Sequence, residues 1–94
     1  KIDMVAERIL TLEGKPLHTF EDYLKTASVP VGKNISHDKE AVELVVSSLA
    51  ELLRVERRIL TLASNADDEG TNAMMSDFIT EQEKTTWMLK SWLA

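Results

Sequence analysis

The chain has 94 residues, enough for one domain or part of one. Apolar residues at 44% and charged residues at 29% describe a globular protein, and no run approaches the roughly 20 apolar residues of a membrane-spanning helix. The absence of cysteine excludes disulfide scaffolds, thiolate metal sites and cysteine nucleophiles, and the net charge of −5 weighs against a nucleic-acid-binding surface.

Residues 1–13 read as an amphipathic helix, with Ile2, Val5, Ala6, Ile9, Leu10 and Leu12 at three- and four-residue spacing. Gly14 is the expected stop, with Pro16 just beyond it. No capping residue precedes Lys1, and the chain opens on Lys rather than Met. The helix, and the gene product, are therefore expected to begin upstream. Residues 15–36 form a long connection with a short helix at about Phe20–Thr26, capped by Thr19 with Asp22 in a capping-box-like position. Pro30, Gly32 and Asn34 then break regular structure. A crossover of this length carrying its own helix spans the length of a bundle.

Ser36 is the expected N-cap of a long helix from about His37 to Ser64, with Asp38 in the first turn. Its seam is Val42, Val45, Leu49, Leu52, Glu56, Ile59 and Ala63, apolar at every step but Glu56. That acid is either paired with a base from another helix or turned to a wet interior. Asn65–Gly70 is an acidic link. The last helix is expected to start between Asp68 and Thr71 and to run to the end of the chain. Its apolar stripe uses Met74, Met75, Phe78 and Ile79, then Trp87, Met88, Leu89 and Trp92. The intervening Thr80–Thr86 segment is wholly polar, which predicts that it faces solvent, a subunit contact or a wet cavity.

Few residues are arranged for chemistry. Asp3 and Glu7, at i and i+4, place two carboxylates one turn apart on one helix face. Such a pair can bind a cation through oxygen, although spacing alone favours a solvated face. Asp67, Asp68 and Glu69 fit helix capping and also fit an ion-guiding patch, with Asp77 further along. No base interrupts the stretch from Asp67 to Glu83, which attracts cations and repels phosphate. His18 and His37 have no metal-ligand spacing, and Met74, Met75 and Met88 suit core filling better than metal binding. There is no glycine-rich phosphate loop and no local nucleophile motif.

The segment DMVAERILTLEGKPLHTFEDYLKTASV resembles the Dps family, the mini-ferritins, through Asp3, Ala6, Glu7 and Arg8, then Gly14 and Pro16, then Thr19, Asp22, Tyr23 and Leu24. The last helix is similar too, in its acid-acid-x-x-Thr opening and its Lys-x-x-Trp-Met-Leu close. The resemblance spans essentially the whole chain. It implies an all-α, ferritin-like four-helix bundle. Residues 1–94 would be the C-terminal portion of a single such domain: the end of helix two, a crossover helix, and helices three and four. It implies a cytoplasmic, hollow homo-dodecamer with ferroxidase activity. Iron would be the metal, with Fe(II) oxidised by hydrogen peroxide and ferric mineral stored inside as protection against oxidative damage. The family's iron site lies at a dimer interface, and Asp3 and Glu7 match its Asp-x-x-x-Glu half. The two His and the Asp of the other half would precede Lys1 and come from a second subunit. Asp68 and Asp77 match positions of the family's acidic ion pore, while Ala73 stands where an acid is common. The charge balance leaves direct DNA binding unexpected. The competing reading is a ferritin-like assembly or DNA-protecting shell without iron chemistry.

Overall fold

The computed structural model describes residues 1–94 as four helices and no strand: α1 (Ile2–Thr11), α2 (Phe20–Thr26), α3 (Asp38–Asn65) and α4 (Glu69–Leu93). The 28 residues of α3, at 1.5 Å each, account for the 43 Å long dimension of the molecule. The all-α, ferritin-like bundle architecture expected from the sequence is what the chain adopts. No helix is long and apolar enough to cross a membrane.

Helices α3 and α4 form an antiparallel hairpin whose three-residue link, Ala66–Asp68, ends in two acids. Asp67 takes the left-handed conformation (φ 58°), and the Asp68 amide donates back to the Ala63 carbonyl at 2.8 Å, closing α3. Asp68 then caps α4, its side chain accepting from the Thr71 amide. Glu69 follows in the first turn, where a negative charge offsets the helix dipole. α1 ends in the same motif, with Glu13 rather than Gly14 at positive φ (68°) and the Gly14 amide donating to the Ile9 carbonyl at 2.8 Å. Gly14 serves instead by lacking a Cβ, which would lie 2.9 Å from Ile9 Cγ2. Thr19 caps α2 as expected. The cap of α3 is His37 and not Ser36; Ser36 stands one residue outside, and the Asp38 carboxylate accepts from the Lys39 amide.

The core is thin and lies between α3 and α4, where Leu53 and Ala63 meet Met75 and Phe78. Two polar residues share it, Glu56 at 8% exposure and Gln82 at 5%. Two expectations are corrected here. Val45 and Leu52 of the expected seam are exposed, and Leu53 is buried in their stead between α3 and α4. The polar stretch of α4 is not uniformly outward either: Gln82 turns in to meet Glu56, while Trp87, Met88 and Trp92 are exposed.

Helix α1 runs antiparallel to α4. Lys1 bridges to Glu81 at one end, and Arg8 bridges to Asp68 at the other. Since α3 is also antiparallel to α4, α1 and α3 are parallel. The α2-bearing crossover therefore carries the chain back along the molecule, as its length suggested. Ser28 ties it to α3 by donating to Glu51, whose carboxyl is held at about 2 by Arg54 and then by Ser28. Between α1 and the hairpin lies an apolar groove of about 590 Å³, lined by Ile2, Val5, Ile9, Val55, Ile59 and Phe78 among others, with Glu56 and Gln82 on its floor.

Candidate metal site

The apolar positions Ile2, Val5, Ala6 and Ile9 face the groove, which fixes where the polar residues of α1 must go. Successive residues turn about 100° around the axis. Asp3 and Glu7 therefore fall together on one flank of the apolar face, and Arg8 falls on the other. Both carboxylates are exposed, and neither is engaged in an ion pair or a side-chain hydrogen bond. They are a matched pair of free oxygen donors on a rigid element. By themselves they are too few: no three His, Cys, Asp or Glu side chains of the chain converge as a metal site. His18 lies in the exposed connection before α2, and His37 stands at the start of α3.

Asp68 is in a different situation. Its Oδ1 accepts from Arg8 Nη2 at 2.6 Å and from the Thr71 amide at 3.1 Å, and its Oδ2 accepts from the Thr71 hydroxyl at 2.6 Å. The Thr71 hydroxyl, then the Thr71 amide and Arg8, hold its carboxyl below the usual aspartate range. Arg8 Nε completes the cluster by donating to Thr71 Oγ1 at 3.0 Å. Asp77, nine positions along, is exposed and carries no ion pair.

Burial is what perturbs Glu56. It pushes the carboxyl up, against the neighbouring Gln82 amide and the charges of Lys1 and Arg57. Oε1 of Glu56 and Oε1 of Gln82 are both buried without a hydrogen-bond partner. Neither expected reading of Glu56 describes this: its direct neighbour is an amide, and its position is the floor of an apolar groove.

The family model for the ferritin-like domain matches residues 1–94. The chain belongs to the ferritin-like family. Several of its relatives within that family are Dps proteins. The crystal structure of a Dps protein from Vibrio cholerae O1, described as a member of a superfamily of ferritin-like diiron-carboxylate proteins, superposes with a TM-score of 0.96 at 44% identity, over 98% of this chain and 58% of that one. The DNA protection during starvation protein of Porphyromonas gingivalis is 40% identical over 92 residues, 98% of this chain and 58% of that protein. An uncharacterized protein of Haemophilus influenzae is 42% identical over 91 residues, 97% of this chain and 57% of that protein. The chain thus spans a little under three-fifths of the length of these relatives. The mini-ferritin resemblance read from Asp3–Arg8 and the close of α4 is the family the comparisons find.

Proposed function

We propose that the chain is the C-terminal portion of a Dps-type subunit that oxidises and stores iron, with Asp3 and Glu7 as one half of the iron site. The observation that carries this reading is the pairing of two exposed, unengaged carboxylates on α1, in a chain whose other well-placed acid, Asp68, is consumed by hydrogen bonds. Hard oxygen donors suit Fe(II) and leave coordination positions open for an oxidant. Hydrogen peroxide would take one electron from each of two Fe(II). Its O–O bond breaks, two protons are taken up, and two waters and two Fe(III) result. The two His and the Asp that complete the ligand set come from the other subunit of a dimer, in sequence preceding Lys1, and the assembly is a dodecamer. In the same reading, the bundle's first helix, from this chain's own sequence before Lys1, is the occupant of the apolar groove between α1 and the hairpin. Asp77, nine residues along α4 from its cap Asp68, is the exposed acid that serves the pore that admits Fe(II), where an acidic surface raises the local cation concentration, while Asp68, matching the second pore position, is held by Arg8 and Thr71.

The test is Fe(II) oxidation with peroxide, followed by absorbance, in the full-length protein and in Asp3→Ala/Glu7→Ala of the same assembly size. Fast oxidation by the parent and background oxidation by the variant are expected. Background rates in both would select the non-catalytic shell, and equal fast rates would move the site elsewhere. DNA is not a direct partner in this reading, given the −5 charge and the base-free stretch from Asp67 to Glu83. A low-salt gel shift that retards DNA, and weakens as salt is added, would overturn that part.

A further inference from the structure

Helix α1 has no buried residue, and only α3 and α4 pack backbone against backbone along their length. What holds α1 in place must therefore be found in its side chains. At its start Lys1 reaches Glu81 at 2.9 Å, with both partners substantially exposed. Near its end Arg8 makes a denser attachment. Nη2 donates to Asp68 Oδ1 at 2.6 Å and Nε donates to Thr71 Oγ1 at 3.0 Å, so the Nε–Nη2 edge of the guanidinium engages both residues at once. The acceptors are fixed in turn, because the Thr71 hydroxyl and amide both donate to Asp68 as part of the α4 cap. Space for the guanidinium is provided by Gly70. A Cβ there would lie 2.5 Å from Nη2, 2.8 Å from Cζ and 2.9 Å from Nη1 of Arg8. Arg8 is the residue after Glu7, so the bond that anchors Arg8 also sets the rotation at which Glu7 and Asp3 leave the helix.

We propose that Arg8 is a positioning residue for the iron site: seated on the Asp68–Thr71 cap in the space left by Gly70, it fixes the rotation of α1 that presents Asp3 and Glu7. The inference rests on the reading of Asp3 and Glu7 as iron ligands. A carboxylate sits about 5–6 Å from the helix axis, so a rotation of about 20° displaces it by about 2 Å. A displacement of about 1 Å already costs about a hundredfold in a site that needs aligned ligands. A site shared between subunits has no local means of correcting such an error.

Gly70→Ala is the decisive variant. It replaces a helical glycine by the best helix former, which favours α4, yet its Cβ forces the Arg8 guanidinium to move from its present seat. In the full-length assembly, Gly70→Ala and Arg8→Met are expected to lower kcat for peroxide-driven Fe(II) oxidation at least tenfold, with assembly size and helicity retained. Arg8→Lys, which keeps the charge and one contact, is expected to recover part of the loss. Co(II), a redox-stable stand-in for Fe(II), supplies the second readout, and its visible absorption is expected to change in shape in Gly70→Ala. Parent rates and a parent Co(II) spectrum in Gly70→Ala would overturn the proposal, even if Arg8→Met fails to assemble. Asp3→Ala/Glu7→Ala separates the two ideas. If that variant oxidises iron at the parent rate, the ligand reading itself has failed; if it is inactive while Gly70→Ala is normal, only the positioning role has failed.

Discussion

Replacing Glu56 by its isosteric amide should stabilise the protein, and by an amount that depends on pH. Glu56 is 8% exposed and Gln82 5%, and each has a buried Oε1 without a donor. A buried acceptor left unsatisfied costs about 1–3 kcal/mol, and more when it is charged. Glu56→Gln keeps the shape, removes the charge and brings an NH2 group that can donate to Gln82. A gain of about 1–2 kcal/mol is expected at pH 8. Burial raises the Glu56 carboxyl above its ordinary 4.5, so the folded state binds this proton more tightly than the unfolded state does. The penalty in the parent is therefore complete above the raised folded pKa and is relieved as pH falls from there towards 4.5. The variant carries no such titration, so its advantage should shrink across the same window. Urea denaturation of the full-length protein, followed by circular dichroism at fixed concentration from pH 8 to pH 5, measures it. A variant less stable than the parent at pH 8, or an advantage independent of pH, would refute the reasoning. Glu56 would then be satisfied as a carboxylate by a donor from the segment that covers the groove.

Phe78→Ala should cost about 3–5 kcal/mol, read as a lowered urea midpoint, since Phe78 is 5% exposed in a core with few other large side chains. Asp68→Asn keeps a good N-cap but loses the charge that meets Arg8. The parent should be the more stable at pH 7, and the gap should close as pH falls below 3.8 through the lowered folded pKa of Asp68. A gap that persists in denaturation curves at lower pH would exclude this ion pair as its source. Asp77→Asn should slow Fe(II) uptake at low ionic strength and leave it unchanged at high salt, where steering is screened. An unchanged low-salt rate in stopped-flow absorbance would remove Asp77 from the pore.

Whatever depends on neighbours in sequence was legible from the sequence, and whatever depends on partners far along it was not. The periodicity of α3, the Thr19 cap and the start of α4 are local, and each boundary falls within two residues of expectation. The Asp-x-x-x-Glu pair is local too, so its shared face could be read directly. The partner of Arg8 was not legible: Asp68 lies 60 residues away, and nothing in the sequence selects it from the other acids. Gln82 was hidden for another reason. Glutamine within a polar run reads as surface, and only the close approach of α3 turns it against Glu56. The exposed Val45 and Leu52 depart from the seam because an amphipathic pattern records which face is apolar and not which partner covers it.

The acidic link shows why composition alone misjudges such a site. Three consecutive acids at 67–69 look like the natural place for a cation, yet each one serves the backbone. Asp67 takes the left-handed turn, Asp68 caps α4, and Glu69 offsets the dipole of its first turn. The two acids on α1 do not both have such a role. Asp3 stands in the first turn, where a dipole effect would account for one carboxylate, but Glu7 is mid-helix and gains nothing there. Repulsion between charges one turn apart costs stability that no local contact offsets. A like-charged pair left unpaired, while its neighbour Arg8 is committed to the opposite flank, has no role in the fold of this chain, and the proposed iron site is what would use it. The same logic fixes what the iron experiment must compare. Removing Asp3 and Glu7 should leave stability unchanged or slightly raised while iron oxidation falls, whereas removing Asp68 should lower stability first.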